Sequence, residues 1–449
     1  MRILIVTTFF PPDTAIAAVR PYMFAKYLCK MGHEITVLRS GEINSMADDS
    51  VFKQLNQVKV YSYLGENSLA EKFERGEVAK PVINKSRASF LPKRLHAIAG
   101  KIYHFVFSQR EFKKRMSNID AKFVRQRAFL DNLKRNGETF DVVFATFGGL
   151  ENVYAGEYAA KLFNCKYILD FRDLIAQTTF NKRKEYQMLL NIQTKAILTA
   201  DVCTCVSEHI TKELQEQVPE QQIVTLYNGY EPIEEILKKN SISSKCLSFC
   251  YTGQLYAGLR DASPLFYVLS KCCMDGKMEK DYLKFYYAGI DFQKLLEQAK
   301  LYKMESILVN MGYLGRQEIL ELQCSSDVFT VLSWNTHHSH GILTGKFYEG
   351  IRCNKPILTI VSGDEANSEL KLMNEKYHYG FCYEAKNDSN DFNMLKEWLL
   401  ELYLQKKLGM KIESNADEDF FVDFKYENLA HQLNEIISDL LSEGDIKNA

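Results

Sequence analysis

The sequence lacks an uninterrupted apolar run of the roughly 20 residues that a membrane-spanning helix requires. A strand-like stretch at residues 3–10 follows the first two residues directly, which leaves no room for a secretory signal peptide. The eleven cysteines show no metal-ligand spacing, since Cys203 and Cys205 lie on an apolar strand and Cys272 adjoins Cys273. We therefore expect a cytoplasmic protein whose thiols are reduced.

Net charge is also nearly absent from the whole chain, at -1, but it is unevenly distributed. Residues 80–135 contain fifteen Lys and Arg against three acids, which gives this segment a charge of about +12. Apolar residues are interleaved with the basic ones, so the segment could form an amphipathic helix on an anionic membrane surface. The alternative is a helical insertion whose apolar side packs on its own domain. No recognisable nucleic-acid-binding module accompanies the charge, so nucleic acid is not expected as a partner.

No repeat of solenoid length occurs, but short apolar strands alternate with amphipathic helices along the chain. The predicted strands are residues 2–8, 34–38, 141–146, 167–170, 202–206, 223–226, 247–252, 283–288, 307–311, 328–333 and 356–361. A polar stretch at 231–245 separates two such series, which predicts an α/β protein with two doubly wound Rossmann-like domains facing each other across a cleft. The predicted boundaries are 1–235, with a basic helical insertion at about 80–136, then 246–425, then a helical segment at 426–449 that packs back on the first domain.

Residues 339–356 lead from a predicted strand into a helix and carry the most informative pattern. Gly341 and Gly345 let the backbone come close to a ligand, and Thr344 is predicted to be an N-cap whose hydroxyl accepts an amide hydrogen bond. Free amides at a helix start bind phosphate, and Lys346 adds positive charge. Glu349 lies roughly 7 Å further along the axis, where its carboxylate could accept hydrogen bonds from both ribose hydroxyls. The pattern predicts nucleotide-sugar binding; the alternative is an amphipathic helix with solvated Lys346 and Glu349.

The first loop of the second series, residues 253–261, is predicted to end at the same sheet edge. Arg260 in this loop would bring a planar guanidinium to two phosphate oxygens at once. Alternatively, Arg260 is a surface residue that pairs with Asp261. Tyr313 follows another strand and is predicted to border a base pocket, unless residues 312–315 form a plain turn.

Loops at strand ends of the first domain are predicted to meet an acceptor. The candidate residues are Asp13, Arg20, Thr146, Gly148, Glu151, Arg172 and Asp173. Arg172 and Asp173 could instead form only a buried ion pair. Residues 337–340 include three histidines, but adjacent histidines on a loop rarely converge on one ion and no second ligand cluster occurs, so no metal site is expected.

Several motifs occur in an order that is typical of one enzyme family. They are FFPPD at 9–13, KYLCKMGHEITVL at 26–38, DFRD at 170–173, VSE at 206–208, LYNGY at 226–230, YTGQLYAGLRD at 251–261 and GILTGKFYEG at 341–350. Through these motifs nearly the whole chain resembles family 4 of the GT-B glycosyltransferases. That family comprises retaining, nucleotide-sugar-dependent enzymes, many of which build bacterial polysaccharides and lipopolysaccharides.

The resemblance implies roles for individual residues. Arg260 matches the basic residue that holds the donor diphosphate, and Glu349 matches the second acid of the family's E-x7-E motif, which binds the ribose. Gly341 stands where the first acid would be and Gln254 replaces the arginine of a Gly-Arg pair, so we expect Lys346 to supply charge. The predicted donor site consists of Gly253, Gln254, Arg260, Tyr313, Gly341, Leu343, Thr344, Gly345, Lys346 and Glu349, with Arg260, Lys346 and Glu349 as catalytic residues.

The resemblance also implies a reaction. A sugar would pass from a UDP- or GDP-linked donor to a hydroxyl of a lipid-linked or polysaccharide acceptor, in cell-surface polysaccharide synthesis on the inner face of the membrane. Neither a cofactor nor a catalytic metal is implied. Two alternatives stay open: a nucleotide-sugar epimerase with the same fold, and a non-catalytic GT-B-like partner of a membrane assembly.

Overall fold

A computed structural model describes residues 1–13, 15–40, 55, 57–63, 93–177, 183–232, 245–337, 339 and 343–446. Side chains are described for all of these except 93–111, 257 and 443–446. Most of the predicted linker at 231–245 and the start of the basic segment, 80–92, lie outside the described residues.

Seven strands form the first sheet, in the order β3-β2-β1-β4-β5-β6-β7. Their bounds are β1 Arg2–Val6, β2 Glu34–Arg39, β3 Val58–Ser62, β4 Val142–Thr146, β5 Lys166–Phe171, β6 Val202–Cys205 and β7 Ile223–Thr225. The central strand β1 pairs in parallel with both β2 and β4. Its residues are apolar and buried almost throughout, as expected for a strand covered on both faces.

Five helices accompany these strands within the described residues. They are α1 Ile16–Lys30, α2 Lys93–Arg135, α3 Leu150–Phe163, α4 Arg183–Thr199 and α5 Glu208–Gln217. From Lys93 onward, the basic segment thus forms one helix of 43 residues, α2. In its second half the Phe123 ring lies 5.8 Å from that of Tyr154 and 6.2 Å from that of Tyr158 on α3, while Leu130 is buried. This half therefore packs on its own domain, as the alternative interpretation predicts.

Six strands form the second sheet, in the order β10-β9-β8-β11-β12-β13. Their bounds are β8 Leu247–Thr252, β9 Leu283–Ala288, β10 Leu308–Gly312, β11 Val328–Trp334, β12 Ile357–Ser362 and β13 Gly380–Glu384. The described helices of this part are α6 Ser263–Met274, α7 Phe292–Lys300, α8 Arg316–Ser325, α9 Gly345–Cys353, α10 Glu369–Tyr377, α11 Asp388–Lys407, α12 Glu418–Asp423 and α13 Tyr426–Ile446.

Alternate residues of the second sheet enter two separate hydrophobic clusters. On β8, Phe249 and Tyr251 belong to one cluster and Cys250 belongs to the other. Both faces of the sheet are therefore covered, which is why its strands read as continuous apolar runs in the sequence.

The two sheets share one strand order. In each, the first strand of the series lies in the middle, two strands follow on one side, and the chain then crosses to the other side. This is the doubly wound order, and the prediction of two Rossmann-like folds is confirmed. The order reverses between β1 and β4 in the first sheet and between β8 and β11 in the second, and ligands of such folds bind at the carboxyl ends of the strands at that point.

The chain divides into two compact units. One consists mainly of Met1–Arg172 together with Thr199–Asp201, and the other of Asp173–Leu198 together with Val202–Ser442. The whole second sheet belongs to the second unit.

Candidate functional site

The carboxyl ends of β8 and β11 lie at the reversal point of the second sheet. Strand β8 leads into the loop that contains Gly253 and Arg260, and β11 leads through residues 335–344 into α9. The two segments that the sequence marks as ligand loops therefore begin on neighbouring strands, at the sheet edge where ligands of this fold bind.

Arg260 is only 6% exposed. Its Nη1 donates to the Gln254 carbonyl oxygen at 3.2 Å, and its Cζ lies 4.3 Å from the ring centroid of Tyr256 and 5.7 Å from that of Trp334. Its Nε is buried and has no hydrogen-bond partner among the described residues. The guanidinium is thus buried and held in place, and its Nε leaves one donor unused, so the alternative of a surface arginine is wrong.

Gly253 and Lys346 are in close contact. Gly253 has φ +119, and a Cβ built there would lie 2.5 Å from Cε and 2.6 Å from Nζ of Lys346. A residue with a side chain would therefore be strained and would displace the lysine. Burial lowers the pKa of Lys346, the neighbouring Arg260 lowers it further, and Glu349 opposes both. Two cations and one carboxylate predicted from the sequence are thus brought together, and the positive charges are suited to an anionic ligand.

Glu349 lies on the second turn of α9, and its Oε2 accepts a hydrogen bond of 2.9 Å from Nε2 of Gln323 on α8. The same nitrogen is 3.0 Å from Oγ1 of Thr252, the last residue of β8. Gln323 and Thr252 are absent from the predicted site residues. Gln323 belongs to no recognised motif, whereas Thr252 lies in the motif at 251–261 but was given no role. The position of Thr252 at a strand end beside the loop was the one available signal.

Helix α9 begins at Gly345 with Thr344 as its N-cap residue, as predicted. The prediction that the Thr344 hydroxyl caps the helix is wrong. The hydroxyl makes no capping hydrogen bond, and its Oγ1 is buried without a partner among the described residues. The helix start therefore lacks its own side-chain cap, and an external anion could fill that role. Leu343 packs on the hydrophobic cluster beside α9, and Gly341 lies outside the described residues.

Tyr313 and the histidines lie further out. Tyr313 is 86% exposed and follows Gly312, the last residue of β10, whose φ is +67; the role of Tyr313 at a base stays a prediction. Nδ1 of the exposed His337 is 4.0 Å from the Glu365 carboxylate, while residues 338 and 340 lie outside the described part of the chain. In the described residues, no group of three or more His, Cys, Asp or Glu is arranged to hold a metal ion.

Arg20 of the predicted acceptor group is buried in an ion pair. Its Nε and Nη2 donate to the two carboxylate oxygens of Asp170 at 3.0 and 2.7 Å, and both side chains are at most 1% exposed. Arg172 donates from Nη1 to the Ala17 carbonyl at 2.7 Å, and Asp173 is exposed. The geometry gives Arg20 a structural partner that the sequence did not indicate.

Three other acceptor candidates lie at the reversal point of the first sheet. Asp13 is buried and accepts a hydrogen bond of 2.9 Å from the Ala15 amide. Oγ1 of Thr146, at the end of β4, is buried without a partner among the described residues. A Cβ on Gly148 would lie 3.3 Å from Oγ1 of Thr8, so the backbone passes close to the residues that follow β1. Thr146 is therefore the one of these three candidates with a buried side-chain polar atom that lacks a partner among the described residues.

The buried carboxylate of Glu151 serves the local fold. It lies on the first turn of α3 and folds back against Gly149, so that a Cβ on that glycine would clash with it. A carboxylate is stabilising at this position because the helix dipole is positive at its start.

None of the described helices is long and apolar enough to cross a membrane. The sequence matches no protein-family model and no curated protein at a significant level.

Solved structures of similar fold cover almost the whole chain. Sucrose-phosphate synthase from Thermosynechococcus elongatus has a TM-score of 0.57 and 11% identity, over 98% of this chain and 99% of that one. A UDP-forming α,α-trehalose-phosphate synthase from Burkholderia xenovorans has a TM-score of 0.55 and 9% identity, with 98% and 99% covered. The lipopolysaccharide outer core galactosyltransferase WaaB has a TM-score of 0.53 and 12% identity, with 97% and 100% covered. The chain therefore has the GT-B fold of these glycosyltransferases.

Proposed function

We propose that this protein is a retaining glycosyltransferase that transfers a sugar from a UDP- or GDP-linked donor to a hydroxyl of a lipid-linked or polysaccharide acceptor, in cell-surface polysaccharide synthesis. The observation that carries the proposal is the convergence of Arg260, Lys346, Glu349 and the uncapped start of α9 at one strand edge of a GT-B fold. The fold alone would permit other chemistry, so the argument depends on this group of residues.

The dimensions of the group suit a nucleoside diphosphate. Lys346 lies against Gly253 and Arg260 donates to the carbonyl of the adjacent Gln254, so one diphosphate could contact both cations. The amides at the start of α9 would bind the same group, and Glu349 lies roughly 7 Å further along the helix, near the position of a ribose. Two of the structural neighbours agree in class, since one is a UDP-forming synthase and another a galactosyltransferase.

The proposed chemistry is electrostatic. Cleavage of the bond between the sugar and the diphosphate leaves positive charge on the anomeric carbon and negative charge on the leaving diphosphate. Arg260 and Lys346 would stabilise that negative charge in a site from which water is largely excluded. Retention of configuration and the absence of a metal requirement are carried over from the family resemblance. Asp13, Thr146, Gly148, Arg172 and Asp173 stay candidates for the acceptor side.

Helix α2 supports a membrane-linked acceptor. Lys113, Lys114 and Arg115 are exposed on it, beyond the part that packs on α3. A cluster of basic residues attracts anionic lipids by about 1 kcal/mol per charge near the surface. We therefore include a peripheral membrane role in the proposal.

A thermal-shift panel of UDP, GDP and ADP tests the donor class. A ligand that binds only the folded state must raise the melting temperature, by about 2.7 kcal/mol of stabilisation at roughly 100 times its Kd. We expect one nucleotide to produce this shift and Glu349→Ala to reduce it by about half or more. Glu375→Ala, an exposed residue of α10, is the matched control and should respond like the wild type. A wild type that responds to no nucleotide would favour the non-catalytic alternative.

Incubation with UDP- and GDP-sugars, with and without a hydroxyl acceptor, tests the reaction. We expect sugar transfer that requires the acceptor and preserves the anomeric configuration, as read by NMR. Isomerisation of the donor sugar without an acceptor would contradict the proposal and favour the epimerase.

Vesicle binding tests the membrane role. Binding to vesicles with anionic lipids should weaken as salt rises, and Lys113→Gln with Lys114→Gln should reduce it by more than Lys277→Gln with Lys300→Gln. Equal effects of the two double variants, or binding that does not respond to salt, would contradict this part of the proposal.

A further inference from the structure

Gln323 is completely buried and joins three elements of the second sheet's ligand edge. From α8, its Nε2 reaches Oγ1 of Thr252 on β8 at 3.0 Å and Oε2 of Glu349 on α9 at 2.9 Å. Its Oε1 lies 3.4 Å from Nη2 of Arg352. The amide is therefore anchored on both sides.

The chemistry of the partners determines the orientation of this amide. An ionised carboxylate only accepts hydrogen bonds and a guanidinium only donates them, so the Gln323 nitrogen must face Glu349 and its oxygen must face Arg352. Burying an amide costs free energy unless hydrogen bonds replace those to water. If this position served packing alone, an apolar residue would be more favourable there. The role of Gln323 is therefore to make these hydrogen bonds.

We propose that Gln323 is a positioning residue that gives the donor site its specificity for ribose. This inference rests on the proposed function, in which Glu349 binds the ribose hydroxyls. Among the described residues, Gln323 is the sole hydrogen-bond partner of the Glu349 carboxylate, and it uses Oε2. Oε1 is thereby directed to accept from the 2′- and 3′-hydroxyls. Gln323 also contacts Thr252, which immediately precedes Gly253. This contact links the position of the Glu349 carboxylate to the loop that contains Arg260.

The test measures how strongly the protein prefers a ribose over a sugar without hydroxyls. The affinities of UDP and 2′,3′-dideoxy-UDP are measured by calorimetry, or those of the corresponding GDP or ADP pair if that nucleotide gives the larger thermal shift. For the wild type we expect the ribonucleotide to bind about tenfold or more tightly, since a hydrogen bond to a charged group contributes on that order.

In Gln323→Leu, the preference should fall at least fivefold while the dideoxy nucleotide binds within twofold of its wild-type affinity. Gln323→Glu retains the side-chain shape and replaces the donor with an acid. It should lose the preference at pH 8 and regain part of it near pH 5, where two facing carboxyl groups share one proton. Gln317→Leu makes the same change on the exposed face of α8 and should keep the wild-type preference.

If the Gln323 variants lose affinity equally for both nucleotides, so that the preference is unchanged, the role of Gln323 is purely structural. That result would overturn this inference but not the proposed function. A wild type that binds neither nucleotide would overturn the proposed function and this inference with it. If Gln323→Leu does not fold, the pH dependence of Gln323→Glu decides the question.

Discussion

Arg20 and Arg260 are both almost completely buried, but the groups around them differ. Arg20 makes a two-point ion pair with Asp170, whose carboxylate is also buried. Arg260 is held by one carbonyl group and by aromatic rings, and its Nε has no partner among the described residues. A buried charge costs several kcal/mol unless an opposite charge compensates it. Arg20 is compensated within the fold, whereas Arg260 is suited to compensation by a bound anion, so the first should matter for stability and the second for binding.

The largest effect is expected from Asp170→Ala. It leaves the Arg20 guanidinium buried without its carboxylate, which should cost about 3–5 kcal/mol of unfolding free energy. Urea denaturation measures this, and Asp120→Ala at an exposed position of α2 should change stability by about 0.5 kcal/mol or less. If the two variants are equally stable, the ion pair is not structural.

Next is Arg260→Ala, which should weaken nucleoside diphosphate binding by about 10- to 100-fold, because charge-assisted hydrogen bonds are lost. The unfolding free energy should change by only about 1 kcal/mol or less, because removal of an uncompensated buried charge offsets the packing that is lost. Arg260→Lys keeps the charge but lacks the planar guanidinium, so its nucleotide affinity should lie between those of the wild type and Arg260→Ala. The comparison fails if Arg260→Ala costs as much stability as Asp170→Ala and leaves nucleotide affinity unchanged.

Lys346→Met should raise the stability of the protein and lower its affinity for the nucleotide. The pKa of Lys346 is lowered chiefly by burial, so below that pKa the charged form costs stability in the ligand-free protein. Replacing it with an apolar side chain should raise the unfolding free energy by about 0.5–1 kcal/mol while nucleotide affinity falls roughly tenfold. A melting temperature lower than that of the wild type would show that the lysine is a structural residue.

The smallest effect is in the pH dependence of binding. A diphosphate binds the protonated lysine, and the pKa of Lys346 in the free protein is lowered from its ordinary 10.5. Affinity should therefore decline as pH rises through that lowered pKa, starting below the range of an ordinary lysine. Lys346→Arg should remove the decline, because a guanidinium stays charged. Parallel titration curves for the two proteins would exclude Lys346 as the titrating group.

Much of the fold could be predicted because its strands are buried on both faces. Strands β8 and β9 have the predicted bounds, and the helix start at Thr344 was found from its strand, glycine and N-cap pattern. Strand β3 was missed because Lys59 and Val60 are exposed on it, so it lacks a continuous apolar run. Strand β13, at the other sheet's edge, was missed as well.

Residues of the candidate site could be predicted only where they lie in recognisable sequence motifs. Arg260, Lys346 and Glu349 lie in recognisable motifs, and the structure brings them together. The partners of buried polar groups could not be predicted, because they depend on packing between elements that are distant in the chain. Asp170 is 150 residues from Arg20, and Gln323 is 26 residues from Glu349 on a different helix.

The most direct test is a crystal structure with the nucleoside diphosphate that gives the largest thermal shift. We predict that its diphosphate contacts the Arg260 guanidinium and the amides at the start of α9, with the ribose hydroxyls on Glu349. A nucleotide bound elsewhere, or one at this edge whose phosphates make no contact with Arg260, would contradict the account.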